Sequence, residues 1–127
     1  MTRILVIDDE IQVRKVLRQM LEKEGYEVDE APDGAVGLQR LQAQPVDVLI
    51  TDIFMPEKEG IETIMEVKKR FPSVKMIAIS GGGRGGHLDM LPNAIFFGAH
   101  HTLAKPFTRE ELRTAIQTVL NDRVAAA

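Results

Sequence analysis

Three carboxylates, a hydroxyl and an ammonium stand at the ends of short apolar runs in this chain. Asp8 and Asp9 follow Ile4-Leu5-Val6-Ile7, and Asp52 follows the run Val46 to Thr51. Ser80 follows Met76-Ile77-Ala78-Ile79, and Lys105 follows Thr102-Leu103-Ala104 and precedes Pro106. Short runs rich in β-branched residues read as buried strands. In an open parallel α/β sheet, ligands bind beyond the carboxyl ends of the strands. Clustered carboxylates repel one another and call for a cation, and hard oxygen donors suit Mg²⁺, which keeps several waters and also takes phosphate oxygens. An ionised aspartate can attack phosphorus and form an acyl phosphate. A lysine brings a mobile point charge to a phosphate, and a serine hydroxyl can hydrogen-bond a phosphoryl oxygen. The residue types therefore suit a divalent cation and a phosphoryl group meeting at one sheet edge.

Each residue also has a simpler role open to it. Asp9 could cap a following helix, Asp52 could bond nearby loop amides, Ser80 could be a loop residue, and Lys105 a surface lysine. Their coincidence at four strand ends favours the site. His100 and His101 are adjacent, so on a strand they point to opposite faces and do not share a metal ion; they are assigned to solvent and loop. His87 lies in the glycine-rich segment and has no evident partner. The run Gly81-Gly82-Gly83-Arg84-Gly85-Gly86 lacks the Gly-Lys-Ser/Thr ending of a phosphate-binding P-loop and reads as flexible loop.

The elements that must position these groups follow from periodicity. Strands are predicted at 4–7, 26–30, 46–51, 75–79 and 101–104. Helices are predicted at 11–24, with Val13, Val16, Leu17, Met20 and Leu21 near helical spacing, and at 35–42, with Asp33 as its cap. Another is predicted over 61–71, stopped by Pro72, and one from Leu91 or Pro92 to about Gly98. Thr108 and Glu111 form a capping box for a last helix reaching about Asn121, with Val124–Ala127 frayed. Met65, Met76, Phe96 and Phe97 are read as core or near-core. Five strand–helix alternations give an α/β domain with a parallel sheet, right-handed crossovers and helices on both faces.

The chain has 127 residues, enough for one domain, 1–127, with a single good core. With 16 basic and 19 acidic residues its net charge is −3, which argues against direct nucleic-acid binding. The absence of cysteine excludes disulfides and thiolate metal sites. No apolar run reaches transmembrane length and no signal-peptide pattern opens the chain, so no membrane association and a cytoplasmic location are expected.

Thr51-Asp52-Ile53-Phe54-Met55-Pro56 with Gly60, together with Asp8-Asp9 and Lys105-Pro106-Phe107, resembles the two-component response-regulator receiver domain, chemotaxis-type, from end to end. The resemblance implies a doubly wound five-stranded parallel sheet in the flavodoxin-like order 2-1-3-4-5. It implies that Asp52 accepts a phosphoryl group and that Ser80 and Lys105 contact it. Mg²⁺ would be held by Asp9 directly, Asp8 through water, Asp52, and the backbone carbonyl of Phe54. The Lys105–Pro106 peptide would be cis. The implied partners are a histidine kinase or histidine phosphotransfer protein upstream, and a downstream effector or an output domain beyond this chain. Such a protein is a signalling switch, not an enzyme beyond its own phosphorylation and dephosphorylation.

The pattern departs from the resemblance at Thr102, where receivers carry an aromatic residue that reports phosphorylation. The 80–105 segment is also longer and richer in glycine than usual. Switching is therefore expected either through the glycine run Gly81–Gly86 and the helix after it, or through the last helix with that loop disordered in both states. One rival is an interaction module that keeps the pocket but signals without phosphate. Another is a phosphohydrolase, which would need a second aspartate where Phe54 stands.

Overall fold

The computed structural model describes residues 2–53, 59–81, 95 and 98–126, with the side chains of 59, 80, 81 and 122–126 outside that description. Along the chain run β1 (Arg3–Ile7), α1 (Ile11–Lys23), β2 (Glu27–Ala31), α2 (Gly34–Ala43), β3 (Val48–Asp52), α3 (Glu59–Arg70), β4 (Lys75–Gly81), β5 (His101–Lys105) and α4 (Arg109–Ala126). The strands form one parallel sheet in the order β2-β1-β3-β4-β5. Both the doubly wound α/β class and the strand order match the expectation.

Alternation along the strands splits the core into two layers. Leu5, Ile7, Leu49 and Met76 pack with Leu41 of α2 and with Ile64 and Val67 of α3. Ile4, Val6, Ile50 and Ile77 pack on the other face with Leu17 and Leu21 of α1 and with Ile116 and Val119 of α4. Because both faces of β1, β3 and β4 are covered, these strands read as continuous apolar runs. At roughly 25 cal/mol per Å² of apolar surface removed from water, these two layers supply the main driving force for the fold.

Several boundaries and burials differ from those predicted. Three of the four site-bearing strands extend further than their apolar residues: β3 includes Asp52, β4 reaches Gly81 and β5 includes Lys105, whereas β1 ends at Ile7. Backbone pairing continues past the hydrophobic signal because every non-proline residue carries a donor and an acceptor to satisfy. Helix α4 runs on to Ala126, past the predicted end at Asn121. Val16 and Met65 were expected inside but are 53% and 46% exposed. Each sits next to a true core residue, Leu17 or Ile64, and one step along a helix rotates about 100° out of the buried stripe. Met76 is fully buried as expected. Phe96, Phe97, His87 and nearly all of the helix expected from Leu91 or Pro92 lie outside the described residues.

The predicted caps form. Asp33 accepts the Val36 amide at 2.9 Å. Thr108 Oγ accepts the Glu111 amide at 3.0 Å, while Glu111 Oε1 accepts the Thr108 amide at 2.8 Å. Gly25, just past the end of α1, takes φ +93°, a left-handed conformation that glycine adopts without steric cost.

Candidate functional site

Register brings the chemistry to one edge. Ile7 pairs with Thr51, Asp52 with Ile79, Ser80 with Ala104, and Gly81 with Lys105. Asp8 follows β1 directly, and its amide extends the β1–β2 ladder by donating to Ala31 O at 3.2 Å. The Ile53 amide does the same beyond β3, donating to Ile79 O at 2.9 Å. Three strands separated by long stretches of sequence thus deliver Asp8, Asp52 and Lys105 to one place.

Gly60 sets how closely α3 approaches that place. A Cβ there would lie 2.4 Å from Ile53 Cα and 2.6 Å from Asp52 O. Both are backbone atoms and cannot move aside. Only glycine lets the first turn of α3 rest on the chain leaving Asp52.

The Lys105 ammonium bridges two carboxylates, with Nζ 3.3 Å from Asp8 Oδ2 and 3.2 Å from Asp52 Oδ2. Asp8 is 1% exposed and Asp52 5%. The second oxygen of Asp8, Oδ1, accepts the Glu10 amide at 2.9 Å. Burial pushes the Asp8 carboxyl up to about 6; the Glu10 amide and Lys105 pull it down, and the Asp52 charge pushes it further up. Lys105 alone would lower it, but loss of water dominates for so enclosed a group. Burial works against the Lys105 ammonium, yet attraction to Asp52 and Asp8 outweighs it and holds the group above its ordinary range.

Asp8, Asp9 and Glu10 each offer a carboxylate oxygen, and these atoms lie within 4.8 Å of one another. Asp9 and Glu10 are exposed. The alternative of Asp9 as a helix cap does not hold. Glu10 is the cap residue of α1, and no side chain caps that helix. An oxygen-only set, partly open to water, fits a hard divalent cation of the Mg²⁺ type. Asp52 joins this group through Lys105. Phe54 lies outside the described residues, as does the Ser80 hydroxyl, although the Ser80 backbone belongs to β4.

Glu10 was not singled out in the sequence reading, though the acidic run Asp8-Asp9-Glu10 signals it. Arg14 was missed as well: its Nη1 donates to the Asp8 carbonyl at 2.7 Å. Helical spacing places Arg14 on α1, but nothing in the sequence shows it reaching back to the loop. The assignment of His100 and His101 to solvent and loop is corrected. His101 opens β5, and His100 Nδ1 accepts the Met76 amide at 3.0 Å while the His100 amide donates to Met76 O at 2.8 Å. Here an imidazole extends the sheet by supplying an acceptor where the β5 ladder has not yet begun. Thr102 stands in β5 opposite Ala78. The Lys105–Pro106 peptide is cis.

The profile of the response regulator receiver domain matches residues 4–117. The chain is 34% identical over 121 residues to the chemotaxis protein CheY of Treponema pallidum, covering 93% of this chain and 82% of that one. It is 32% identical over 120 residues to the transcriptional regulatory protein CpxR homolog of Haemophilus influenzae, covering 94% of this chain and 51% of the relative. The crystal structure of a response regulator receiver domain protein from Clostridium thermocellum superposes with a TM-score of 0.89 at 33% identity, covering all of both chains. The chain belongs to the response regulator receiver domain family, a class of two-component signalling proteins.

Proposed function

We propose that Asp52 accepts a phosphoryl group from a phosphohistidine on a histidine kinase or histidine phosphotransfer protein. The observation that carries this reading is the Lys105 ammonium, held between two buried carboxylates that arrive from different strands. An oxygen of Asp52 forms a bond to phosphorus as the phosphorus–nitrogen bond of the donor breaks. The histidine nitrogen leaves with the electron pair and takes up a proton. Hydrolysis of the acyl phosphate later restores the carboxylate. Asp8, Asp9, Asp52 and the Phe54 carbonyl would hold Mg²⁺, which when bound would supply positive charge against the phosphoryl oxygens.

Lys105 is already charged and already close, so it needs only a small swing from a carboxylate to a phosphoryl oxygen. Ser80, on the neighbouring strand, would donate its hydroxyl to the same group. These new contacts bias a two-state equilibrium that a downstream effector or an attached output domain reads. Chemistry beyond its own phosphorylation and dephosphorylation is not expected, and the setting is the cytoplasm. Among the described residues no helix is long and apolar enough to cross a membrane.

Incubation with acetyl phosphate or phosphoramidate and Mg²⁺ should label the protein. Asp52→Asn should abolish the label and Asp9→Ala should remove it through loss of the metal. A base-labile phosphate that persists at full stoichiometry in Asp52→Asn would refute the assignment. Thr102, in place of an aromatic side chain, favours one alternative: a module that docks without phosphate. That reading expects unchanged partner binding in Asp52→Asn, and failure of the wild type to label at all.

A further inference from the structure

The Asp8-Asp9-Glu10 turn is held from two sides. On the inside, the Glu10 amide donates to Asp8 Oδ1 at 2.9 Å. On the outside, Arg14 Nη1 donates to the Asp8 carbonyl at 2.7 Å. Arg14 sits in the first turn of α1, where its amide donates to Glu10 O at 3.1 Å. Helical side chains lean toward the helix N-terminus, which carries the guanidinium back over the turn. There Arg14 Nε donates to Glu30 Oε1 at 3.2 Å, and Glu30 Oε2 accepts from Arg18 Nη1 at 2.9 Å. The Arg14 side chain is only 13% exposed, so this pair is weakly screened.

We propose that Arg14, fixed by Glu30, is a positioning residue for the cation site. The carbonyl it grips belongs to the peptide plane that joins Asp8 to Asp9. Fixing that plane fixes where the Asp9 backbone starts, and so limits where its carboxylate can reach. The Glu10 amide, bonded to Asp8 Oδ1, fixes the next peptide plane. Asp9 lies between two anchored planes, one tied to its own loop and one tied to the end of β2. This inference rests on the Mg²⁺ reading given above.

The sign of the effect separates positioning from simple electrostatics. A guanidinium near a cation site repels the cation, so deleting its charge alone would tighten binding. Deleting a clamp would loosen it. Partners that orient metal ligands typically contribute about 10- to 100-fold in affinity.

The test is an amide NMR titration with MgCl₂ on the full chain, well below the melting temperature of each variant. Wild type, Arg14→Met, Arg14→Lys, Glu30→Gln and Asp9→Ala are compared, following the amides of the Asp8-Asp9-Glu10 turn. Arg14→Met should raise the Kd about tenfold, in line with the effect of such partners elsewhere. Arg14→Lys, which keeps the charge and one donor, should fall between, and Glu30→Gln should shift in the same direction. Asp9→Ala should remove saturable binding. An Arg14→Met protein that binds Mg²⁺ as tightly as wild type, or more tightly, overturns the positioning role and leaves the cation reading standing. A wild type with no saturable response overturns both. Should Arg14→Met fail to fold, Glu30→Gln decides, and an unchanged Kd there overturns the role.

Discussion

Folding buries the Asp8 carboxylate almost completely. Its carboxyl is held at about 6, against an ordinary 3.8, chiefly because burial strips its water. A raised carboxyl pKa means that the folded state binds the proton more tightly than the unfolded one. The stabilisation is therefore fully present below about pH 4 and is lost as pH rises through about 6. One pKa unit corresponds to about 1.36 kcal/mol, so the loss has an upper limit of roughly 3 kcal/mol. Denaturation of the metal-free protein at a series of pH values should show a decline in this window, superimposed on the other carboxylates. Asp8→Asn, which keeps the shape without the charge, should flatten it. An identical pH profile in wild type and Asp8→Asn would contradict the burial argument. With Mg²⁺ present at pH 5, binding should release protons, because the metal takes the ionised carboxylate.

At the level of elements, Gly60 and Gly25 make a contrast that a denaturation series can read. Gly60→Ala sets a Cβ against the backbone of Asp52 and Ile53, so α3 must shift away. Overpacking of this kind costs about 1–3 kcal/mol, and here it also displaces the backbone of Asp52, the proposed phosphoacceptor. Both stability and Asp52 labelling should fall. Gly25→Ala meets nothing within 4 Å and suffers only from its positive φ, a cost of about 1–2 kcal/mol. Its stability should fall while labelling of the folded protein stays intact. Equal labelling in both variants would sink the claim that Gly60 serves the site.

The sequence made the strands, the caps and the acid–lysine set legible because each rests on a local rule. Apolar β-branched runs gave β1, β3 and β4, and Asp33 and the Thr108/Glu111 box marked two helix starts. What stayed hidden depended on contacts between elements. Arg14 finds the Asp8 carbonyl only after α1 has folded back on β1. His100 completes a ladder only once β5 lies beside β4. Val16 and Met65 show that a hydrophobic residue one step off the stripe carries no sign of its exposure. The strand order came from resemblance, since alternation alone leaves it open.

For the whole molecule, Mg²⁺ at the proposed site would be a ligand of the native state alone and should stabilise it by RT ln(1 + [L]/Kd). At millimolar metal and a millimolar Kd this is only a few tenths of a kcal/mol, rising with further titration. Melting temperatures should climb slightly with Mg²⁺ in wild type and stay flat in Asp9→Ala; identical titrations for the two would count against the site. The net charge of −3 points to no salt-dependent binding to duplex DNA by this chain, checked by electrophoretic shift at low ionic strength. The Lys105 bridge has a temporal consequence. Lys105 is 97 residues beyond Asp8 and 53 beyond Asp52, on the last strand of the sheet. During synthesis, both carboxylates leave the ribosome long before the cation that answers them. A half-made chain holds the acids without the lysine, so the phosphoryl transfer proposed at Asp52 would await the arrival of β5. On that proposal the protein would not act on a signal until its last strand has been made.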